Sequence, residues 1–417
     1  MSELMGKLCV GIAVFCLLVS SSAMANQANS WKHAYQFPHL TEDYAVCENL
    51  ALVQMEKLAH AQGIPPAVWA QVKKSMFTDI RAKDVVLPLV QGPSVLIGLN
   101  LRQLGNQLCS NPVLTCDAKG QGTCSEISRV AHNQVLQPLL VDEQTLIARR
   151  DNFTGDDLNA GPPDFVVSHD KGKSWTRIDT PVPCTDLRKW CRLVPQTASR
   201  YFLMSTQFSY DATDIAIHVT TDAGKSWTLL TEKWQGIHDV TAVSVVGDTF
   251  VGLLKEPGEF VTLSRLTPSV NEIVELKTNI STQAWSPLDD GKVLDFEGGY
   301  LVRLNAANSA VPPNHFGIVF VPAPGNPAPA RLIWQTHLNG GGIGDFQASE
   351  GIIAIRTWGP PLISRAFTEQ IHYSLDEGRT WKIAAVPVEL LGSAMLLAHR
   401  KVWIFASDAV KSKDLAE

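Results

Sequence analysis

Through most of the chain, apolar positions come in short runs of Val, Ile, Leu and Phe separated by polar turns rich in Gly, Asp and Pro. That is the pattern of short buried strands rather than of helices. One class of run begins near Ser94, Thr145, Tyr201, Thr249, Lys292, Ile352 and Lys401. After each but the last comes a strand–turn–strand unit: Val113-Leu114-Thr115 through Gly120 to Glu126-Ile127, three units described below, Phe260–Leu263 to Ile273–Leu276, and Gly317–Phe320 to Leu332–Trp334. One stretch departs from this pattern. Thr41 is a good N-cap with Glu42 and Asp43 in the first turn, Val46, Leu50 and Val53 recur at helical spacing, and Gly63 can end the helix. A second helix is expected from Pro65-Pro66, carrying Trp69, Val72 and Met76 on one face.

Three of the hairpin units share one pattern, S/T-x-D-x-G-x-S/T-W. They are Ser168–Trp175 with Asp170 and Gly172, Thr220–Trp227 with Asp222 and Gly224, and Ser374–Trp381 with Asp376 and Gly378. Such a turn needs these residue types. An Asp side chain accepts hydrogen bonds from backbone N–H groups of its own turn, Gly supplies the φ > 0 position, and the Trp re-enters the next strand to pack on the sheet. Asp170 and Asp222 are 52 residues apart, and Asp222 and Asp376 are 154 apart, three steps of nearly the same length. A repeat of that period is the mark of a closed array of small sheets.

The three segments resemble Asp-boxes, the bacterial-neuraminidase repeats of the sialidase superfamily. These are found also in sortilin-type receptors, some glucan-cleaving hydrolases and photosystem II assembly factors. The resemblance implies an all-β fold, a β-propeller of Asp-box type, with Asp170, Gly172, Trp175, Asp222, Gly224, Trp227, Asp376, Gly378 and Trp381 as scaffold residues on the face away from any active site. Seven recurring strand starts against six hairpins favour seven blades, with six as the alternative. The last blade lacks outer strands of its own, and Trp31 to Phe37 could close it. The expected organisation is therefore residues 26–80 as closing strand and helical hairpin, and 81–417 as propeller.

Lys7, the apolar run Leu8–Val19 and Ala23-Met24-Ala25 read as a cleaved secretory signal over residues 1–25, the apolar run being shorter than the ~20 residues of a spanning helix. The expectation is an exported chain, periplasmic or secreted, with no membrane span after cleavage. Six cysteines then remain in an oxidising compartment, and short loops suggest Cys184 with Cys191, Cys116 with Cys124, and Cys47 with Cys109. No C-x-x-C pair or histidine ligand cluster is present, so no metal and no cofactor are expected. Charged residues make up 18% and the formal net charge is −6, which gives no footprint for nucleic acid.

If the box turns define one face, the loops between second and third strands and between blades converge on the other. Read this way, that face collects Arg149, Arg150, Asp151, Asp156, Asp157, Lys255, Glu256, Glu297, Tyr300, Arg356 and Trp358, joined by Trp190, Trp234 and His337. The ligand-binding candidates are Arg150, Asp151, Glu297, Tyr300, Arg356 and Trp358. A sialidase would need three arginines forking onto a substrate carboxylate, a Tyr nucleophile activated by a Glu, and an Asp acid/base. Arg150, Arg303 and Arg356 with Glu297 and Tyr300 offer the residue types, but no sialidase signature surrounds them, and no residue is assigned as catalytic. The expected function is an exported, non-catalytic propeller binding a protein or glycan, an assembly or accessory factor. The alternative is a sialidase-like exo-glycosidase with diverged catalytic residues.

Overall fold

A computed structural model describes residues 31–36, a few positions between 57 and 70, and most of 84–415. Its strands form seven antiparallel sheets among the described residues. Blade 1 holds β2 (Asp84–Gln91), β3 (Ser94–Asn100), β4 (Asn111–Asp117) and β5 (Ser125–Val130). Blade 2 holds β6 (Gln134–Val141), β7 (Leu146–Phe153), β8 (Ala160–Ser168) and β9 (Thr176–Arg177). Blade 3 holds β10 (Lys189–Pro195), β11 (Tyr201–Phe208), β12 (Thr213–Thr220) and β13 (Thr228–Gln235). Blade 4 holds β14 (Val243–Val246), β15 (Thr249–Leu253), β16 (Phe260–Thr267) and β17 (Glu272–Ser281). Blade 5 has an interrupted first strand, β18 (Trp285–Pro287) and β19 (Val293–Phe296), then β20 (Gly299–Ala306), β21 (His315–Pro322) and β22 (Arg331–His337). Blade 6 holds β23 (Gly342–Ser349), β24 (Ile352–Gly359), β25 (Thr368–Ser374) and β26 (Lys382–Ala385).

These six sheets are each cut from one stretch of chain. The seventh is composite: β27 (Ala394–Ala398), β28 (Lys401–Phe405) and β29 (Ala409–Asp414) are completed by β1 (Lys32–Gln36), which runs antiparallel to β29. First strands of neighbouring sheets approach one another, β2 with β6, β6 with β10, β14 with β19, β19 with β23 and β23 with β27, and β27 returns to β2. The arrangement is a β-propeller with its first strands innermost.

Alternation along a strand explains why these strands read as continuous apolar runs. Successive side chains point to opposite faces, and in a stack of blades both faces are covered. On β24, Ile353 and Ile355 join the cluster shared with Leu301, Ile318 and Trp334 of blade 5, while Ile352 and Ala354 join Met395, Val402 and Ile404 of the composite blade. Between blades 3 and 4, Phe202 meets Phe250 edge to face at 5.0 Å between ring centres.

The three S/T-x-D-x-G-x-S/T-W turns, called box turns for that pattern, have one geometry. The hydroxyl at their first position (Ser168, Thr220, Ser374) donates to the Asp Oδ1 and accepts from the Gly N–H at 2.7, 3.0 and 2.7 Å. The same Oδ1 accepts the backbone N–H of Ser174, Ser226 or Thr380, and Oδ2 accepts the hydroxyl of that residue at 2.6 Å. Two residues in succession take positive φ: Lys171 (61°) and Gly172 (88°), Ala223 (61°) and Gly224 (87°), Glu377 (58°) and Gly378 (82°). The glycine also permits close packing. A Cβ on Gly378 would stand 3.0 Å from Ile333 of blade 5, and one on Gly224 would stand 2.7 Å from Ile178, which follows the last strand of blade 2.

Each box Trp reaches back to the preceding blade as well. Trp175 Nε1 donates to Ser128 Oγ (3.0 Å), Trp227 Nε1 to Asp179 O (2.8 Å) and Trp381 Nε1 to Ile333 O (2.8 Å). Trp31, just before β1, does the same across the closure, donating to Ala385 O at 3.0 Å. Nearer the axis, Arg192 reaches Val243 O (2.6 Å), Lys292 reaches Phe346 O (2.8 Å), and Gln347 bonds both Met395 O and Leu397 N at 2.7 Å.

Two expectations change here, and a third falls mostly on residues that are not described. Lys292–Asp295 belongs to the first strand of its blade and not the second. Gly298, at φ 73°, turns β19 tightly into β20, the true second strand. Trp234 is not in a loop; it is wholly buried in β13 and bonds Ser264 Oγ of blade 4 at 2.8 Å. The helical pair falls largely outside the described residues, although Lys57, Ala61, Pro66, Ala67 and Ala70 within it are helical. The Cys184–Cys191 disulfide is formed, with a Cα–Cα distance of 5.5 Å, whereas the pairings Cys116–Cys124 and Cys47–Cys109 lie outside the described residues.

The back-reaching indole gives a direct test. Trp381→Phe keeps an aromatic ring but removes the indole N–H, leaving Ile333 O without that donor, and should cost about 1 kcal/mol in denaturant unfolding through the lost hydrogen bond. Gly378→Ala should cost more than that, about 1–3 kcal/mol, because strain at positive φ and the approach to Ile333 add together.

Candidate functional site

The ring has two ends, which the ladders distinguish. Leu146 at the start of β7 faces Ser168 at the end of β8, and Lys171 N donates to Gln144 O (3.2 Å), so the turns between first and second strands share the box end. The connections between second and third strands lie at the opposite, distal end. Those at 101–110, 154–159, 209–212, 255–258, 307–314, 360–367 and 406–408 are outside the described residues, and with them Asp156, Asp157, Lys255 and Glu256. The strand ends that flank them can be read.

Arg150 lies on β7, directly across the ladder from Asp164, and forks onto it with Nε–Oδ1 at 2.8 Å and Nη2–Oδ2 at 2.6 Å. Arg149 holds Asp151 at 2.8 Å. Arg356, 5% exposed on β24, pairs with Glu369 of β25 and also faces Leu390 O at 3.4 Å. Charge placed on the strands just short of the loops is thus matched within its own blade. Trp358 is at the distal end of β24 and is 39% exposed. His337 ends β22, its ring 5.0 Å from that of His315 across the ladder. Trp190 lies within β10.

Glu297 and Tyr300 are at the other end. Glu297 sits in the turn whose Gly298 O accepts from Ala323 N (2.9 Å) and Asn326 Nδ2 (2.9 Å), and those donors belong to the outer turn of the same blade at the box end. Tyr300 is buried at the start of β20, opposite Asp295. Burial raises its pKa above the ordinary phenol value; a hydrogen bond and the charge of Arg265 oppose that shift, and Asp295 adds to it. A buried phenol held neutral is a poor nucleophile. The residue types chosen from the sequence are therefore divided between two ends: Arg150, Asp151, Arg356 and Trp358 at the distal end, Glu297 and Tyr300 at the box end. The cause is the misassigned first strand of blade 5. The signal that could have located it is Glu297-Gly298, an acidic residue followed by Gly at a two-residue hairpin turn.

Sequence reasoning did not find the distal carboxylates Asp164 and Glu369, because pairing across a ladder has no local signature. Among the described residues, no group of three His, Cys, Asp or Glu is placed to hold a metal ion, and no helix is long and apolar enough to cross a membrane.

The fold defines the class of protein as a β-propeller. No protein-family model matches the chain, and no curated protein sequence matches it. Solved structures similar to it include an ulvan lyase of family PL25 (11% identity over 80% of this chain and 93% of that one, TM-score 0.49) and an oligogalacturonate lyase in complex with manganese (7%, 78% and 86%, TM-score 0.48). A prolyl endopeptidase is similar at 11% identity, 77% coverage of this chain and TM-score 0.48, and this chain spans 46% of its length. At these identities the likeness is one of fold.

Two predictions follow from the charges. Hydrogen bonds hold Asp170, Asp222 and Asp376 at about 2, against an ordinary value of 3.8. A carboxylate with a depressed folded pKa stabilises fully above its unfolded value and loses that contribution as pH falls through the folded one. His372, buried against Trp334, is lowered to about 4, so it takes up its proton more readily when unfolded. Melting temperature against pH should therefore fall first between pH 6.5 and 4, a slope reduced in His372→Leu, and again between pH 4 and 2, a limb reduced when the three aspartates become Asn. Second, Glu369→Gln alone should cost about 3–5 kcal/mol in unfolding by stranding the buried Arg356 charge, whereas Arg356→Met with Glu369→Leu should recover most of that loss.

Proposed function

We propose that this is an exported, non-catalytic β-propeller of the Asp-box type, an assembly or accessory factor that binds a protein or glycan partner on its distal face. The observation that carries the reading is the state of the candidate catalytic groups. Arg150 and Arg356 already hold Asp164 and Glu369, so a substrate carboxylate would have to displace those partners to gain the same forked contact. Tyr300 is buried, its acidity is weakened by that burial, and it sits at the box end. What remains is scaffold chemistry repeated three times, in turns whose bonds run within themselves and to the preceding blade. Export is supported by the charge and apolar pattern of residues 1–25 and by the Cys184–Cys191 disulfide, a bond that persists in oxidising compartments.

The test is turnover. The chain beginning at Asn26, incubated with a fluorogenic sialoside, is expected to release no fluorophore above the rate of buffer. Release abolished by Tyr300→Phe would overturn the reading in favour of a diverged sialidase-like glycosidase.

A further inference from the structure

In blades 2 to 6 the ladders align one residue each of the second, third and fourth strands into a row on the face that meets the preceding blade. The rows are Ala148–Val166–Arg177, Leu203–His218–Leu229, Phe250–Leu266–Ile273, Val302–Val319–Leu332 and Ile355–His372–Ile383. Val166, His218 and His372 each stand two residues before the first position of a box. Val166, Leu266 and Val319, the middle members in blades 2, 4 and 5, are buried among apolar side chains shared with the blade before. Blades 3 and 6 place a histidine where the other three blades place Val or Leu.

That choice has a cost. His372 is 9% exposed, its ring lies 5.3 Å from that of Trp334 in blade 5, and its Nε2 is buried with no hydrogen-bond partner. His218 Nδ1 is buried and unpartnered in the same way. A polar atom in that state is destabilising where Val or Leu is not. Burial holds both imidazoles below their ordinary pKa, His372 at about 4.

Among the described residues, the charged groups on the blade 5 surface facing His372 are Arg303, in the row of Ile318 and Trp334, and Arg331, which lies over Phe320 and reaches Glu377 O. Cations there favour the neutral ring. On its own blade, Ile355 and Ile383 flank His372, while Arg356, Glu369 and Lys382 alternate to the other face. His218 shares its face with the buried phenol of Tyr201, and the blade 2 surface opposite carries Arg149, paired with Asp151.

The strands that cover these two histidines from outside are weakly held. β26 has four residues, β13 departs from regular register beside His218, and Leu229 and Ile383 are themselves exposed. Lifting either strand bares the imidazole to water, where it binds a proton at its ordinary pKa of about 6.5. Because the lifted state binds the proton more tightly, each unit of pH below that value favours it up to about tenfold, until the pKa of the closed state is reached.

We infer that His218 and His372 form an acid-sensitive device: in acid the outer strands of blades 3 and 6 part from blades 2 and 5, while blade 4, with Leu266 in the same place, stays closed. This goes beyond the binding reading and does not depend on it.

The experiment is hydrogen exchange read by mass spectrometry on the chain from Asn26 at pH 6.5 and pH 5, corrected for the intrinsic exchange rate. Opening of β12–β13 and of β25–β26 is expected to rise about tenfold at the lower pH, and that of β16–β17 less than about twofold. His218→Leu and His372→Leu give each site the residue found in blade 4, and each should abolish the rise in its own blade alone. Melting curves verify that both variants are folded. The inference fails if blades 3 and 6 do not respond, if only one of them does, if blade 4 responds equally, or if the response survives in the leucine variants. A histidine that merely fills space predicts the last of these results.

Discussion

Everything in this molecule depends on fixing each blade to the one before it. A four-stranded sheet covered on neither face cannot hold its apolar side chains out of water, so no blade is stable by itself. Apolar packing supplies most of the attraction between neighbours but little direction. Direction comes from hydrogen bonds that cross the gap, above all the indole N–H at the start of an outer strand, which finds an oxygen in the preceding blade from Trp175, Trp227 and Trp381. Trp31 makes the equivalent bond at the closure, although it lies outside any box and is separated by 354 residues from its partner Ala385. The closing strand thus copies the device used within the ring.

This division of labour separates the two ends. At the box end, backbone and side chains are committed to one another: the Asp is saturated by its own turn, and the Gly leaves room for the previous blade. Substitution there acts on the scaffold. At the distal end, strands carry ion pairs that close within a blade, such as Arg150 with Asp164, and the exposed rings lie beyond them.

The sequence made the propeller legible because its signals are local and repeated. The spacing of Asp170, Asp222 and Asp376 reports the blade length, and the last blade's lack of outer strands pointed to the segment at Trp31–Phe37, whose residues Lys32–Gln36 lie beside β29. Where the repeat is degenerate, reading failed. Blade 5 has no Asp in its outer turn and its first strand is broken into β18 and β19, so Val293–Phe296 passed for a second strand and carried Glu297 and Tyr300 to the wrong end. The candidate site was legible only as residue types. That Arg356 belongs to Glu369, and Arg150 to Asp164, is a fact of cross-strand register, which composition and spacing do not encode.

The central claim is that closure by the N-terminal strand makes one cooperative unit of all the sheets. Differential scanning calorimetry of the chain from Asn26, compared with the same chain beginning at Phe37, tests it most directly. The account predicts a single transition with equal calorimetric and van't Hoff enthalpies for the longer chain. For the shorter one it predicts a lower melting temperature and a transition that broadens or splits, as the composite blade loses both β1 and the Trp31 bond. An unchanged melting temperature and an unchanged single transition would contradict it.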